Sequence, residues 1–502
     1  MAKPTRMLIR TPAPALWPAS RVLNARCAAL ALLLSGCAAV GPNYQPPAVA
    51  LESSFIAAGT PANSVTKPAA AGQVDVAHFW RGFNDAQLNA LMGQALVANG
   101  DIRIAQARLQ EARANRTETD AQALPGVGLQ ANGQRTVLPS TPSFGGFTQS
   151  RSNRTYSSYD ASFVANWELD FFGRNRRASE SAAALVDASE AGLQAAHVAV
   201  AAEVARNYLA LRGNQQRLQA AQESLVNLAA SLRITQARLD AGRGTRLDVA
   251  RAENLGASTE ATLAPLRSAI DQAIFRLATL SGQTPRSLLA QLTSPAPLPV
   301  LPSTDLATLP LGTPALWLAR RPDLAVAERQ LASSTALIGV AVADLYPRVS
   351  LSGLLGFNAA TVGTLTNNEN RVFTAGLGVT WTPFDLGTLR ARIKASEARA
   401  AQSLARYEQT VAVAMEETEV AFSDFSNAAQ QARQLGAAQR SAQEAAKLSQ
   451  LRFDAGVSDF LVVLDAQRQA LASQDQLLQA QMAQAVGLVN VYRVLGGGWG
   501  AN

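Results

Sequence analysis

Two cysteines and two histidines are all that 502 residues provide for thiol, metal or imidazole chemistry. Cys27 falls in the N-terminal leader described below, which leaves Cys37 as the one cysteine of the remaining chain. One cysteine excludes an internal disulfide framework and any cysteine-based metal site. His78 and His197 each fall in a helical pattern and read as structural residues. No phosphate-binding glycine loop, zinc motif or nucleophile elbow is present, so the chain reads as no enzyme, with no cofactor and no metal. Aromatics make up 6% of the residues, while Ala, Gln, Leu and Arg dominate long stretches, a bias toward long helices rather than a compact α/β core. Beyond the leader no apolar run reaches about 18 residues, which excludes a transmembrane helix.

Acidic residues are missing from positions 1–36, which hold Lys3, Arg6, Arg10, Arg21 and Arg26. Without that stretch the formal charge falls from +7 to +2. The basic excess therefore belongs to a targeting segment and gives no nucleic-acid footprint. Residues 1–36 read as a secretory signal, with a basic start (Met1 or Met7), an apolar stretch from Ala28 to Leu34 and small residues at its end. The junction Leu34-Ser35-Gly36-Cys37 resembles a bacterial lipobox. The Cys37 thiol would carry diacylglycerol and its amine an N-acyl chain. Ala38, in place of the Asp that retains lipoproteins at the inner membrane, points to the outer membrane.

What is abundant is internal repetition, the first signal to seek in a long chain. Trp167-Glu168-Leu169-Asp170-Phe171-Phe172-Gly173 recurs as Trp381-Thr382-Pro383-Phe384-Asp385-Leu386-Gly387, and Arg238-Leu239-Asp240-Ala241-Gly242 as Arg452-Phe453-Asp454-Ala455-Gly456, both 214 positions on. Asp101, Leu109 and Pro125 match Asp323, Leu331 and Pro347 at a spacing of 222. The chain therefore divides into a lipid-anchored segment 37–75, a first repeat 76–284, a Pro-rich linker 285–314, a second repeat 315–495 and a tail 496–502. Each repeat reads helix, strand, strand, long helix, returning helix. The expected parts are a β-hairpin 127–170, a long helix 174–241 and a return helix 246–283, then a β-hairpin 348–382, a long helix 388–455 and a return helix 458–495.

Residues 174–241 contain no proline, and 68 residues of helix span about 100 Å. Leu211, Asn214, Leu218, Ala221, Leu225, Leu228, Leu232, Thr235 and Leu239 keep the 3-4 spacing of a coiled-coil seam. In the last helix Leu464, Leu471 and Leu478 alternate with Gln467, Gln474 and Gln481. That seam suits a helix wall wetted on one side, or else a plain solvated face. From Tyr159 to Asp170 the strand alternates: Tyr159, Ala161, Phe163, Ala165, Trp167 and Leu169 on one face, polar residues on most of the other. Phe373 to Trp381 repeats the pattern. Strands of about ten residues with one apolar face resemble those of an outer-membrane barrel; half-buried strands of a soluble sheet are the alternative. Four strands cannot close, and lipid tolerates no open edge. Several chains must share one barrel, and three chains with twelve strands are the smallest comfortable answer.

Cys37 followed by Val40-Gly41-Pro42-Asn43-Tyr44-Gln45-Pro46-Pro47 resembles the mature N-terminus of the TolC superfamily of outer-membrane efflux lipoproteins (OprM/NodT type). So do Trp167 to Arg174, Arg320-Arg321-Pro322-Asp323 with Ala327-Glu328-Arg329, and Phe460 to Arg468. The resemblance implies an α+β membrane protein: a homotrimeric twelve-stranded β-barrel, four strands per chain, continued by a periplasmic twelve-helix coiled-coil α-barrel. It implies the outer-membrane channel of a tripartite efflux pump, partnered by a periplasmic adaptor protein and an inner-membrane RND-type transporter. Its helix tips, turned by Gly242 and Gly456, would close the tunnel. Asp465 matches a pore-facing acid of the family, but Val462 stands where a second acid is found. Asp248 and Arg251 occupy the corresponding place in the first repeat, and Asp459 opens the last helix; these four residues are the candidate periplasmic gate. A type I secretion exit channel and a pore-less periplasmic coiled-coil scaffold remain as alternatives.

Overall fold

The computed structural model describes residues 39–48, 55–56, 76–137, 155–306 and 313–498. Cys37 and the leader lie outside the described residues. The chain forms two compact units, one comprising Thr117–Ser181, Thr335–Ala398 and the N-terminal stretch to Tyr44, the other comprising Gln45–Arg116, Ala182–Ser334 and Arg399–Asn502.

The helices of the first repeat are α1 (Ala86–Ala98), α2 (Gly100–Gln122), α3 (Arg174–Asp240), α4 (Arg246–Ala261), α5 (Leu263–Ser281) and α6 (Pro285–Leu292). A short α7 (Pro314–Leu318), then α8 (Pro322–Ala343), α9 (Leu386–Asp454) and α10 (Phe460–Val494) follow. The strands are β1 (Gly126–Val137), β2 (Thr155–Leu169), β3 (Arg348–Ala359) and β4 (Arg371–Thr380).

The expected single helix over 246–283 is two. It breaks at Thr262, between α4 and α5. Pro265 is the cause: it lacks the N–H that would bond the Ala261 carbonyl, and its ring crowds that turn. His78 lies in a kinked 3-10 segment, Val76–Phe83, rather than in an α-helix, with its ring edge-on to Trp80.

The second unit is a helical body with an inward apolar core. Asp85 caps α1 by accepting from the amides of Gln87 and Leu88, and also accepts from the buried Tyr208 hydroxyl at 2.8 Å. Burial pushes that phenol up to about 12. Phe79, Phe83, Leu88, Leu209, Ile274, Phe422, Phe425 and Leu488 are at most 2% exposed. Asn99 closes α1 and starts α2, its side chain accepting from Asp101 and donating to the Leu280 carbonyl. Within this unit α3 and α10 run antiparallel: Arg206 meets Asn490, Arg217 meets Asp475 and Ser231 meets Gln467. At Gly213 the two helices come so close that a Cβ would sit 2.8 Å from Met482. The same order runs between α9 and α10, where Phe425 packs on Gly487 and Phe453 on Phe460.

The first unit holds a sheet ordered β1-β2-β3-β4, antiparallel throughout. Its two outer strands, β1 and β4, are both unpaired on one side among the described residues.

Candidate functional site

The register aligns like residues across all four strands. Leu129 pairs with Phe163, Phe163 with Leu355, and Leu355 with Phe373. These four side chains are 72%, 58%, 58% and 74% exposed. Below them Trp167 pairs with Leu351 and Leu351 with Leu377, all on the same face. The opposite face carries Asn132, Asp160 and Asn358 in one row and Asn166, Ser352 and Gly376 in another. A band of exposed Leu, Phe and Trp, with no layer packed over it among the described residues, is what a lipid-facing surface requires. Trp167 donates its ring N–H to the Ala123 carbonyl, and Trp381 donates to the Leu345 carbonyl, so the two repeats anchor their strand ends alike. An indole with one polar tether and an otherwise apolar ring suits the edge of a bilayer.

The helix tips repeat just as closely. Gly242 has φ +70° and Gly456 φ +72°. In each case the following amide reaches back to close the helix: Arg243 to the Arg238 carbonyl at 2.8 Å, and Val457 to the Arg452 carbonyl at 2.9 Å. This closure needs a left-handed residue, which glycine takes without a Cβ clash. The returning helices start differently. Thr245 and Asp248 form a reciprocal capping box, whereas Asp459 caps α10 by accepting from the Phe460 amide. Both are strong starts, since each satisfies amides left free by the first turn. Phe453, Phe460, Val463, Leu464 and Ala252 bury one another just inside the tip, and Arg238 lays its guanidinium 4.5 Å over the Phe453 ring.

Of the four gate candidates, Asp248 and Asp459 thus act first as helix caps. Asp465 pairs with Arg468 one turn on, at 2.7 Å, with both side chains about two-thirds exposed. Arg251 is exposed and makes no ion pair among the described residues; Glu253 is taken by Arg246 at 3.7 Å. Within one chain Arg251 and Asp465 are not brought together. Arg468, the last residue of the Phe460 to Arg468 motif, gains its role at the tip only in the structure, although its i,i+3 spacing from Asp465 is visible in the sequence.

The glutamines of the α10 seam share a face with its leucines. Gln467 and Gln474, with Gln443 and Gln450 from α9 and Ser231 from α3, line a cavity of about 450 Å³. Gln467 donates to the Ser231 hydroxyl at 3.2 Å. This stretch of the helix wall is therefore polar and roomy enough for water.

The Arg320-Arg321-Pro322-Asp323 run forms a tight electrostatic knot. Pro322 starts α8, where its missing N–H costs nothing. Arg321 is 7% exposed and donates to Asp323, to Glu417 at 2.9 Å and to the Ala414 carbonyl. Burial alone would raise the Asp323 carboxyl, but the Arg321 hydrogen bonds and charge outweigh it and hold it below the ordinary range. Glu203 behaves likewise: burial raises it, and Arg206, Asn207 and Arg276 bring it down on balance.

The model of the outer membrane efflux protein family matches residues 91–283 and again 313–497. The chain belongs to the outer membrane efflux protein family. The two matches flank the Pro-rich linker, so the family match itself is double. Nodulation protein T of Rhizobium leguminosarum bv. trifolii is 33% identical over 89% of this chain and 92% of its own length. Outer membrane protein OprJ of Pseudomonas aeruginosa is 31% identical over 94% and 95%. Among solved structures, the outer-membrane channel OprN has a TM-score of 0.82 at 38% identity, covering 92% of this chain and 99% of that one.

Family membership makes this chain an outer-membrane protein, the channel component of an efflux pump. Its fold is that of these trimeric channels, a β-barrel to which each chain gives four strands and a long helical barrel beyond it. The family is one of efflux ducts and not a class of enzymes.

Proposed function

We propose that three copies of this chain close one twelve-stranded barrel by pairing β4 of each copy with β1 of the next. The observation that carries this reading is the four-stranded sheet with an exposed apolar face and two unpaired edges. An even number of strands keeps the antiparallel alternation unbroken around the ring, and closure removes every edge that lipid would leave unsatisfied. The channel works as a passive exit duct for drugs or other small molecules. A periplasmic adaptor protein and an RND-type inner-membrane transporter deliver the cargo and supply the energy. Cys37 is the mature N-terminal residue and carries the diacylglycerol and N-acyl groups, adding an anchor beside the barrel.

The tips turned at Gly242 and Gly456 form the periplasmic closure. There Asp465 of one returning helix faces Arg251 of a neighbouring one, while Asp248 and Asp459 hold the first turns of those helices in place.

Native mass measurement in detergent tests the assembly. Three copies are expected, and a stable monomer without β-structure would sink the barrel. Metabolic labelling with a radioactive fatty acid should mark the wild type and not Cys37→Ser; persistent labelling of that variant would refute the lipid assignment. Deleting the gene should raise sensitivity to several drugs, and restoration by the wild-type chain but not by a barrel-defective one would tie export to the duct.

A further inference from the structure

The buried guanidinium of Arg177, in the first turn of α3, is 4% exposed and faces a piece of chain more than 130 positions away. Its Nε donates to the Val40 carbonyl at 3.0 Å. One terminal nitrogen donates to the Asn43 side-chain oxygen at 2.7 Å, to the Gly41 carbonyl at 3.2 Å and to the Ala39 carbonyl at 3.4 Å. The other terminal nitrogen pairs with Glu180 at 2.7 Å. Apart from Glu180, every one of these acceptors lies on residues 39–43.

The backbone is shaped for the same contact. The Val40 amide donates to the Phe172 carbonyl at 3.1 Å, in the turn that joins β2 to α3. Gly41 has φ +90°, and a Cβ there would overlap the Cα of Gly339 on α8. Gly339 in turn has no room for a Cβ because the Arg177 stem crosses it. Gly173, at φ +76°, would clash with Ala39 if it carried a side chain. Three glycines thus let the 39–43 backbone lie flush against α3 and α8, within reach of one arginine.

We infer that Arg177 is the docking residue for the segment that follows the acylated cysteine, and that it pins the lipid anchor to the foot of strand β2. Ala38 alone separates Cys37 from Ala39, and two residue steps keep the acylated residue within about 7 Å of the docked segment. The anchor is then held at the end of the barrel wall rather than on a free tether. A buried guanidinium keeps its hydrogen bonds only while the segment is docked, so the segment and Arg177 stabilise each other. This deepens the lipid assignment proposed above and rests on it only for what hangs from Cys37. The docking of 39–43 stands on its own contacts.

The test uses full-length trimer purified in detergent, with Pro42→Cys carrying a nitroxide label. Pro42 is exposed, so the label displaces nothing. Mass spectrometry of the N-terminal peptide reports separately whether Cys37 is acylated and hence silent to the label. With Arg177 intact the label should be immobilised. In Arg177→Met it should become fast, and cleavage of the segment by an added protease should quicken at least tenfold, with the trimer unchanged. Arg177→Lys should fall between, since one ammonium cannot reach all four acceptors. Gly41→Val, a change outside the helices whose side chain would collide with Gly339, is the second route and should release the segment as well. A label equally slow in wild type, Arg177→Met and Gly41→Val would overturn the docking. A label freed by these variants on a chain whose Cys37 is unmodified would keep the docking and remove the lipid from it.

Discussion

The sheet and the helical body use the same side chains in opposite ways. Phe373 is 74% exposed and Phe163 58%, with no second layer packed on them among the described residues; Phe422 and Phe425 are completely buried, with the Phe55 ring edge-on to Phe422 at 5.0 Å. Four strands and their apolar band make no core of their own, whereas the helices close around one. The lesson is that hydrophobic pattern alone does not say what covers a face. In the helical unit the cover is protein, and for the apolar face of the sheet it is the hydrocarbon of the membrane. Stability in the two regions should therefore respond to different changes.

The largest effect is expected from Phe422→Ala. A fully buried ring lost from a close-packed interior costs about 3–5 kcal/mol. Thermal unfolding followed by the helical signal should shift down clearly, with barrel insertion intact in the molecules that fold. Next comes Phe163→Arg, at about 2–4 kcal/mol if the residue lies near the bilayer midplane. Here the order reverses: membrane insertion should fail while the helical signal survives. Ser352→Arg, on the opposite face, should be much milder. Equal damage from Phe163→Arg and Ser352→Arg would show that the two faces do not see different solvents.

These pairs also show what the sequence carried. Alternation from Tyr159 to Asp170, the Asp-Ala-Gly turns and the 214-residue repeat were enough for the strands, the tips and the doubled plan, because each is a local rule written in consecutive residues. The register was not local: nothing near Leu129 says that Phe163, Leu355 and Phe373 complete its row. The break at Thr262 has a local cause in Pro265, which the heptad spacing of the surrounding leucines masks. Arg177 was out of reach, because its partners lie on Ala39 to Asn43, and no periodicity links an arginine to a distant backbone. The same holds for Arg321, which the family motif marked but whose partner Glu417 lies 96 positions on.

Arg321 sharpens the comparison from the polar side. Arg321→Met removes a buried cation, takes the guanidinium partner from Asp323 and leaves Glu417 with Arg493 at 3.7 Å, for a cost of about 3 kcal/mol, the low end because both acids are partly exposed. The sign of the pH response follows from the depressed Asp323 carboxyl. Its contribution is complete above the ordinary carboxylate range and is lost as pH falls through the lower folded value. Wild type should lose stability on acidification below about pH 4, and Arg321→Met should show a shallower loss. Identical acid slopes in the two proteins would mean that the knot does not couple to folding.

The smallest effect is expected at the charged residues of the tips, because Asp465 and Arg468 are about two-thirds exposed and water screens them. Exposed pairs contribute about 1 kcal/mol or less each, so an Arg251–Asp465 latch repeated three times would be weak enough for a partner to open. The chain adds a competitor, because Asp465 is already bonded to Arg468 on its own helix at 2.7 Å. Any latch between neighbours must draw Asp465 partly away from that bond. Two substitutions then act in opposite directions. Arg251→Glu should loosen the closed state and raise single-channel conductance in planar bilayers, with Asp465→Arg added to it restoring the low value. Arg468→Gln should free Asp465 for its neighbour and lower conductance below wild type. High salt should shrink both differences, since exposed charges a few ångströms apart are screened. If Arg468→Gln conducts more than wild type, Asp465 serves the helix that carries it, and the closure rests on the Gly242 and Gly456 turns instead.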